Sequence, residues 1–116
     1  MLKEKIKELS KNYSDEFIRI RHHLHEHPEL SYHEFETSKF VQGKLKEYGI
    51  DFQVMANTGV IGIIKGKNPG KKVLALRADM DALPITEKNV VDYRSKNEGV
   101  MHACGNDVHT TCLLGA

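Results

Sequence analysis

An excess of either charge is missing from this 116-residue chain: 17 Lys and Arg stand against 16 Asp and Glu, a formal net charge of +1. Nucleic acid and anionic membrane surfaces are held by concentrated basic charge, so neither is expected as a partner. Long apolar runs are missing too, and a helix needs about 20 mostly apolar residues to span a bilayer. The opening, Met-Leu-Lys-Glu-Lys-Ile-Lys-Glu-Leu, interleaves charge with apolar residues and has none of the uninterrupted apolar stretch of a secretory signal. Cysteine is scarce: Cys104 and Cys112, close together, are the only two. Without an export signal they are expected as thiols or ligands rather than as a disulfide, and the expected compartment is the cytoplasm. Repeats and low-complexity tracts are also absent. What is there is one domain's worth of sequence, 40% hydrophobic, enough for a modest core.

The chain opens on a helical period. Ile6, Leu9, Tyr13, Phe17, Ile20 and Leu24 recur three or four positions apart, on one stripe of a helix, and Pro28 stops the run. Ser14 is a possible break, with both halves expected to pack on one surface. Ser31 followed by Glu34 has the spacing of a capping box, and the helix after it places Thr37, Val41, Leu45 and Tyr48 on one face. Gly49 suits the left-handed position after its last turn. The period then changes. Ile50 to Met55 alternates like a strand, Val60 to Ile64 is an apolar β-branched run, and Lys67-Asn68-Pro69-Gly70 is a turn by its chemistry. Val73 to Ala78, nearly all apolar, is expected as a third strand inside a sheet. An irregular stretch from Met80 to Gly105 leads to a helix over Val108 to Leu114. Helix, helix, three strands, loop, helix is an α/β arrangement, in which ligands gather beyond the carboxyl ends of the strands.

Two stretches occupy that region. Arg77-Ala78-Asp79-Met80-Asp81-Ala82-Leu83-Pro84 puts two carboxylates at a strand end, where they can face a metal, act in acid–base work or simply cap turns. Met101-His102-Ala103-Cys104-Gly105-Asn106-Asp107-Val108-His109 gathers a thiol, two imidazoles and a carboxylate, donors suited to zinc or a similar ion; a loop with a buried Cys and ordinary surface histidines is the plainer reading. Cys112, on the terminal helix, reads as a small core residue. His33-Glu34 does not open a zincin motif, since Thr37 stands where the second His belongs.

With Arg21-His22-His23-Leu24-His25-Glu26-His27-Pro28-Glu29-Leu30-Ser31, Thr58-Gly59-Val60 and the closing Leu113-Leu114-Gly115-Ala116, these stretches resemble the M20 metallopeptidase superfamily. The branch resembled is that of hippurate hydrolases, N-acyl-L-amino acid amidohydrolases and auxin-conjugate hydrolases. The resemblance implies an α/β fold, the N-terminal part of the family's catalytic-domain sandwich, with residues 1–116 as an incomplete portion and the smaller dimerisation domain absent. It implies a cytoplasmic metal-dependent hydrolase of the amide bond of N-acyl amino acids or short peptides, with a dinuclear zinc or manganese site in the complete protein. Homo-oligomerisation or self-association is a further expectation. Cys104 matches one metal ligand. Asn106 stands where the family has its second, a His, and a neutral amide oxygen is a poor replacement for imidazole. Asp81 matches the aspartate that supports the site from behind the ligands, and Asp79 sits where the wider superfamily often has a ligating His. The family's glutamate pair, one member its general base, and its remaining histidines would lie further along. This polypeptide alone is therefore expected to be inactive, with weak or no metal binding; a non-catalytic remnant carrying a degenerate metal half-site is the alternative. His22 and His25 sit three apart on one helix face, which admits a metal-ligand reading, but the histidines from His22 to His27 match a first-helix motif whose members pack or hydrogen-bond without ligating the metals.

Overall fold

A computed structural model describes residues 1–116 as four helices and one hairpin: α1 (Leu2–Asn12), α2 (Ser14–Glu26), α3 (Phe35–Glu47), β1 (Asp51–Met55), β2 (Gly59–Ile63) and α4 (Asn106–Gly115). The opening helical stripe divides at Tyr13, between α1 and α2. Its second half turns inward, with Ile20 and Leu24 buried on α2. The first half does not: Ile6, Leu9 and Tyr13 remain exposed, and α1 buries no residue. The expected common packing surface is thus corrected, because nothing in the chain lies over the apolar face of α1. α4 packs against α2 so closely that a Cβ added to Gly115 would come within 2.9 Å of the Phe17 ring.

The capping box is also corrected. Glu34 does not serve the first turn of α3; its carboxylate accepts from Tyr32 N at 3.1 Å and from Thr58 Oγ1 at 3.0 Å, fastening the hairpin turn to the start of the helix. The free N–H groups of α3 are met instead by Glu29, whose carboxylate accepts from Thr37 N at 2.6 Å and Glu36 N at 3.2 Å. An anion there also suits the positive end of the helix dipole. At the other end Gly49 takes φ +69°, Ile50 N donates to Leu45 O and Gly49 N to Lys46 O, the paired bonds of a Schellman ending.

β1 and β2 pair antiparallel, with Asp51 opposite Ile63 and Met55 opposite Gly59. The third expected strand is absent. Val73 to Ala78 runs without regular secondary structure and with Val73 96% and Leu74 84% exposed, so the sheet has two strands. An apolar run of this kind is stable as a strand only between neighbours that take its backbone hydrogen bonds and cover both faces, and residues 1–116 provide neither. No helix is long and apolar enough to cross a membrane.

The stretch after this segment is irregular yet tied down. Ala82 N donates to Glu29 O at 2.8 Å, and Leu83 and Met101 exchange backbone hydrogen bonds in both directions. These contacts lay residues 79–83 alongside the approach to α4.

Candidate functional site

The strand-exit residues and the start of α4 meet. Gly105 precedes α4 at φ +117°, a backbone state that side-chain-bearing residues avoid, and it turns Asn106 toward Asp81. Asn106 Nδ2 donates to the carbonyl and to the carboxylate Oδ1 of Asp81, both at 2.9 Å. Both partners are acceptors, so the NH₂ end of the amide must face them. One turn further, Thr110 Oγ1 donates to Asp79 O at 3.0 Å.

The other expected site residues do not converge. Asp79 is exposed and pairs with Arg77 at 2.8 Å, so the two aspartates of the strand exit serve different partners. Cys104 is exposed, and so is Cys112, which lines an open groove with Phe17, Ile18 and Val108 and is not the core residue it was read to be. His109 is exposed and stands next to Gly105. No three His, Cys, Asp or Glu side chains share a point where a cation could be held. With the NH₂ of Asn106 committed to Asp81, the donors of residues 1–116 do not fit a metal centre by themselves.

His102 is buried, and both of its ring nitrogens lack a hydrogen-bond partner. Burial holds its pKa below the ordinary 6.5, against the pull of Asp107 in the other direction. An unpaired buried polar group costs about 1–3 kcal/mol, so this ring is a local weak point beside Cys104.

The histidines of α2 pack and hydrogen-bond, as their motif implied. His22 stacks on Tyr93 with ring centroids 3.8 Å apart, and His23 stacks on Phe40 at 4.0 Å. His25, which sits three positions from His22 on one helix face and so invited a metal-ligand reading, is engaged by carboxylates instead. Its Nδ1 lies 2.8 Å from Asp107 Oδ2, and its Nε2 lies 3.0 and 3.1 Å from the two oxygens of Glu87. Arg21 Nε donates to the same Asp107 oxygen at 3.0 Å. His25, Glu87 and Asp107 are each at most 3% exposed. Burial pushes the Glu87 carboxyl up, but hydrogen bonds from His25, the Ser95 amide and Asn89 outweigh it and hold its pKa below the ordinary 4.5. The sequence carried the helical spacing of His22 and His25 but not the pairing of His25 with Asp107, 82 positions away.

The chain is similar to known proteins over nearly its whole length. Residues 75–116 match the family described as Peptidase family M20/M25/M40. The chain is 52% identical to thermostable carboxypeptidase 2 of Saccharolobus solfataricus over 98% of its own length and 29% of that protein's. It is 48% identical to an N-acyl-L-amino acid amidohydrolase of Geobacillus stearothermophilus, over 99% of itself and 31% of that protein. A crystal structure from Bacillus subtilis, described as a dinuclear metal binding peptidase, superposes with a TM-score of 0.85 at 45% identity, over 90% of this chain and 29% of the other. Residues 1–116 thus span less than a third of the length of these relatives.

Proposed function

Because this chain belongs to the M20 metallopeptidase family and matches the N-terminal portion of its members, we propose that it forms the opening part of a metal-dependent hydrolase acting on the amide bond of N-acyl amino acids or short peptides. In this reading Cys104 contributes one donor and position 106 the place of a second, with Asp81 behind them; the metal pair, zinc or manganese, is completed by groups beyond these residues. When bound, such a pair polarises a carbonyl and activates water. The part of residues 1–116 is to hold position 106 and Asp81 in fixed relation. The observation that carries the reading is that contact: Asn106 reaches Asp81 across 25 positions, inside the stretch that matches the family.

The same contact favours a second reading. Asn106 directs hydrogen-bond donors at Asp81 where the family places an imidazole, which leaves a degenerate half-site and a chain that is not catalytic. Calorimetric titration of Zn²⁺ and Mn²⁺ into the chain and into an Asn106→His variant separates the two, with hydrolysis of N-acyl amino acids followed alongside. Binding by the variant alone supports a half-site built from Cys104 and position 106. Hydrolysis by residues 1–116 above a metal-only blank would overturn the assignment of the water-activating groups to later segments. Binding by neither protein favours the non-catalytic reading.

A further inference from the structure

We propose that His25 is a positioning residue: one imidazole, donating from both ring nitrogens, fastens the two ends of segment 87–107 and thereby sets the approach of position 106 to Asp81. Glu87 and Asp107 are both acceptor-only as carboxylates, so each ring nitrogen facing them must carry its hydrogen. Arg21 Nη2, a donor 3.5 Å from Nδ1, is too distant to compete with Asp107 Oδ2 at 2.8 Å. The four charged groups of the cluster then balance, Arg21 and His25 against Glu87 and Asp107, which is the condition under which buried charges are tolerated. Tyr93, edge-on to His25 and stacked on His22, closes the remaining side of the ring.

The two carboxylates sit at informative places in the chain. Glu87 gathers its own loop: Ser95 N donates to it at 2.7 Å, and Asn89 Nδ2 at 3.2 Å. Asp107 lies in the first turn of α4, directly after Asn106. A segment of some twenty residues bearing His102, Cys104 and Asn106 is therefore closed on a single ring of α2. Closing a flexible loop of that length otherwise costs conformational entropy at every residue that must be ordered. His25 fixes the first turn of α4 through Asp107, and that turn points the Asn106 amide at Asp81. As a contribution to amide hydrolysis this role rests on the reading above; as a statement about the Asp81–Asn106 contact it does not.

The test is read on the ¹⁵N-labelled chain 1–116, with no metal and no substrate. Long-range ¹H–¹⁵N spectra are expected to show hydrogen on both ring nitrogens of His25; one bare nitrogen would overturn the proposal. In His25→Gln, hydrogen exchange at the Asn106 side-chain amide is expected to quicken roughly tenfold, the scale of losing one or two hydrogen bonds. The β1–β2 amides are expected to keep their protection. Unchanged Asn106 exchange in a variant whose hairpin stays protected also overturns it. If His25→Gln unfolds throughout, Glu87→Gln decides, since it keeps an acceptor while weakening one tie. The Ser95 amide and the Asn106 side chain should then quicken together, and a change at Ser95 alone counts against the role. These readouts follow hydrogen bonds and not turnover, so their failure is distinct from failure of the amidohydrolase reading.

Discussion

Two parts of the molecule solve burial in opposite ways. Around His25 the interior is polar and, His102 apart, hydrogen-bonded: of the 16 buried residues ten are polar or charged, and the largest network joins Arg21, His25, Glu87 and Asp107. Around the hairpin the groups are apolar and bare, with Ile61, Ile63 and Ile64 all exposed along β2 and just beyond it, and Val73 and Leu74 more so. The first region is stable because its charged groups have partners inside the chain. The second has the composition of a core and no cover. Cohesion in residues 1–116 thus depends more on directed hydrogen bonds than on buried apolar area, and directed bonds fail abruptly when one partner is lost.

Substitutions can break that contrast or sharpen it. His25→Leu should have the largest effect, since it leaves two buried carboxylates facing an apolar side chain; a loss of about 3–5 kcal/mol is expected in urea unfolding. A loss as small as that of a surface substitution would mean the network contributes little. The same network predicts acid sensitivity. The folded pKa of Glu87 is depressed, so below the ordinary 4.5 the unfolded chain takes up the proton first. The contribution of Glu87 is present above that value and is lost as pH falls from it through the folded pKa. Unfolding midpoints followed from neutral pH downward should show this slope, and Glu87→Gln should flatten it. Glu29→Ala tests a single polar anchor, removing the acceptor for the first turn of α3, and about 1–2 kcal/mol should be lost in the same assay. His102→Leu inverts the expectation: replacing a buried ring without partners should leave stability unchanged or raise it by about 1 kcal/mol. The smallest change belongs to the bare region, where Leu74→Ser should alter stability by less than about 0.5 kcal/mol. By sedimentation it should also reduce self-association, and no change in association would show that this segment is not the adhesive surface.

The difference between the regions explains what the sequence disclosed. Helices α2, α3 and α4 were legible from period and punctuation, because Leu24, Val41 and Gly49 answer to local geometry. The hairpin strands were legible for the same reason. Val73 to Ala78 misled, since its apolar run describes the environment a strand requires, and that environment is not part of residues 1–116. Ser31 and Glu34 misled in another way: their spacing satisfies a local rule, but Thr58, 24 positions away, takes the carboxylate instead. At the site, the closeness of Asp81 and position 106 followed from the family resemblance, whereas the orientation of the Asn106 amide did not. The helical spacing of His22 and His25 was visible, but the partners of His25 were not, because they lie 62 and 82 positions distant and no periodicity carries information over such separations.

The buckle made by His25 also constrains how such a sequence can drift. No hydrogen bond joins Glu87 to Asp107, yet each is tolerable in the interior only while the same ring is present. Replacing any one of the three strands the others, so their substitutions should be strongly non-additive, with coupling energies at the upper end of the 0.5–3 kcal/mol seen for residues sharing a network. The three positions behave as one inherited character spread over more than eighty residues. Homologous chains should keep the trio whole or exchange it as a unit for apolar residues of matching volume.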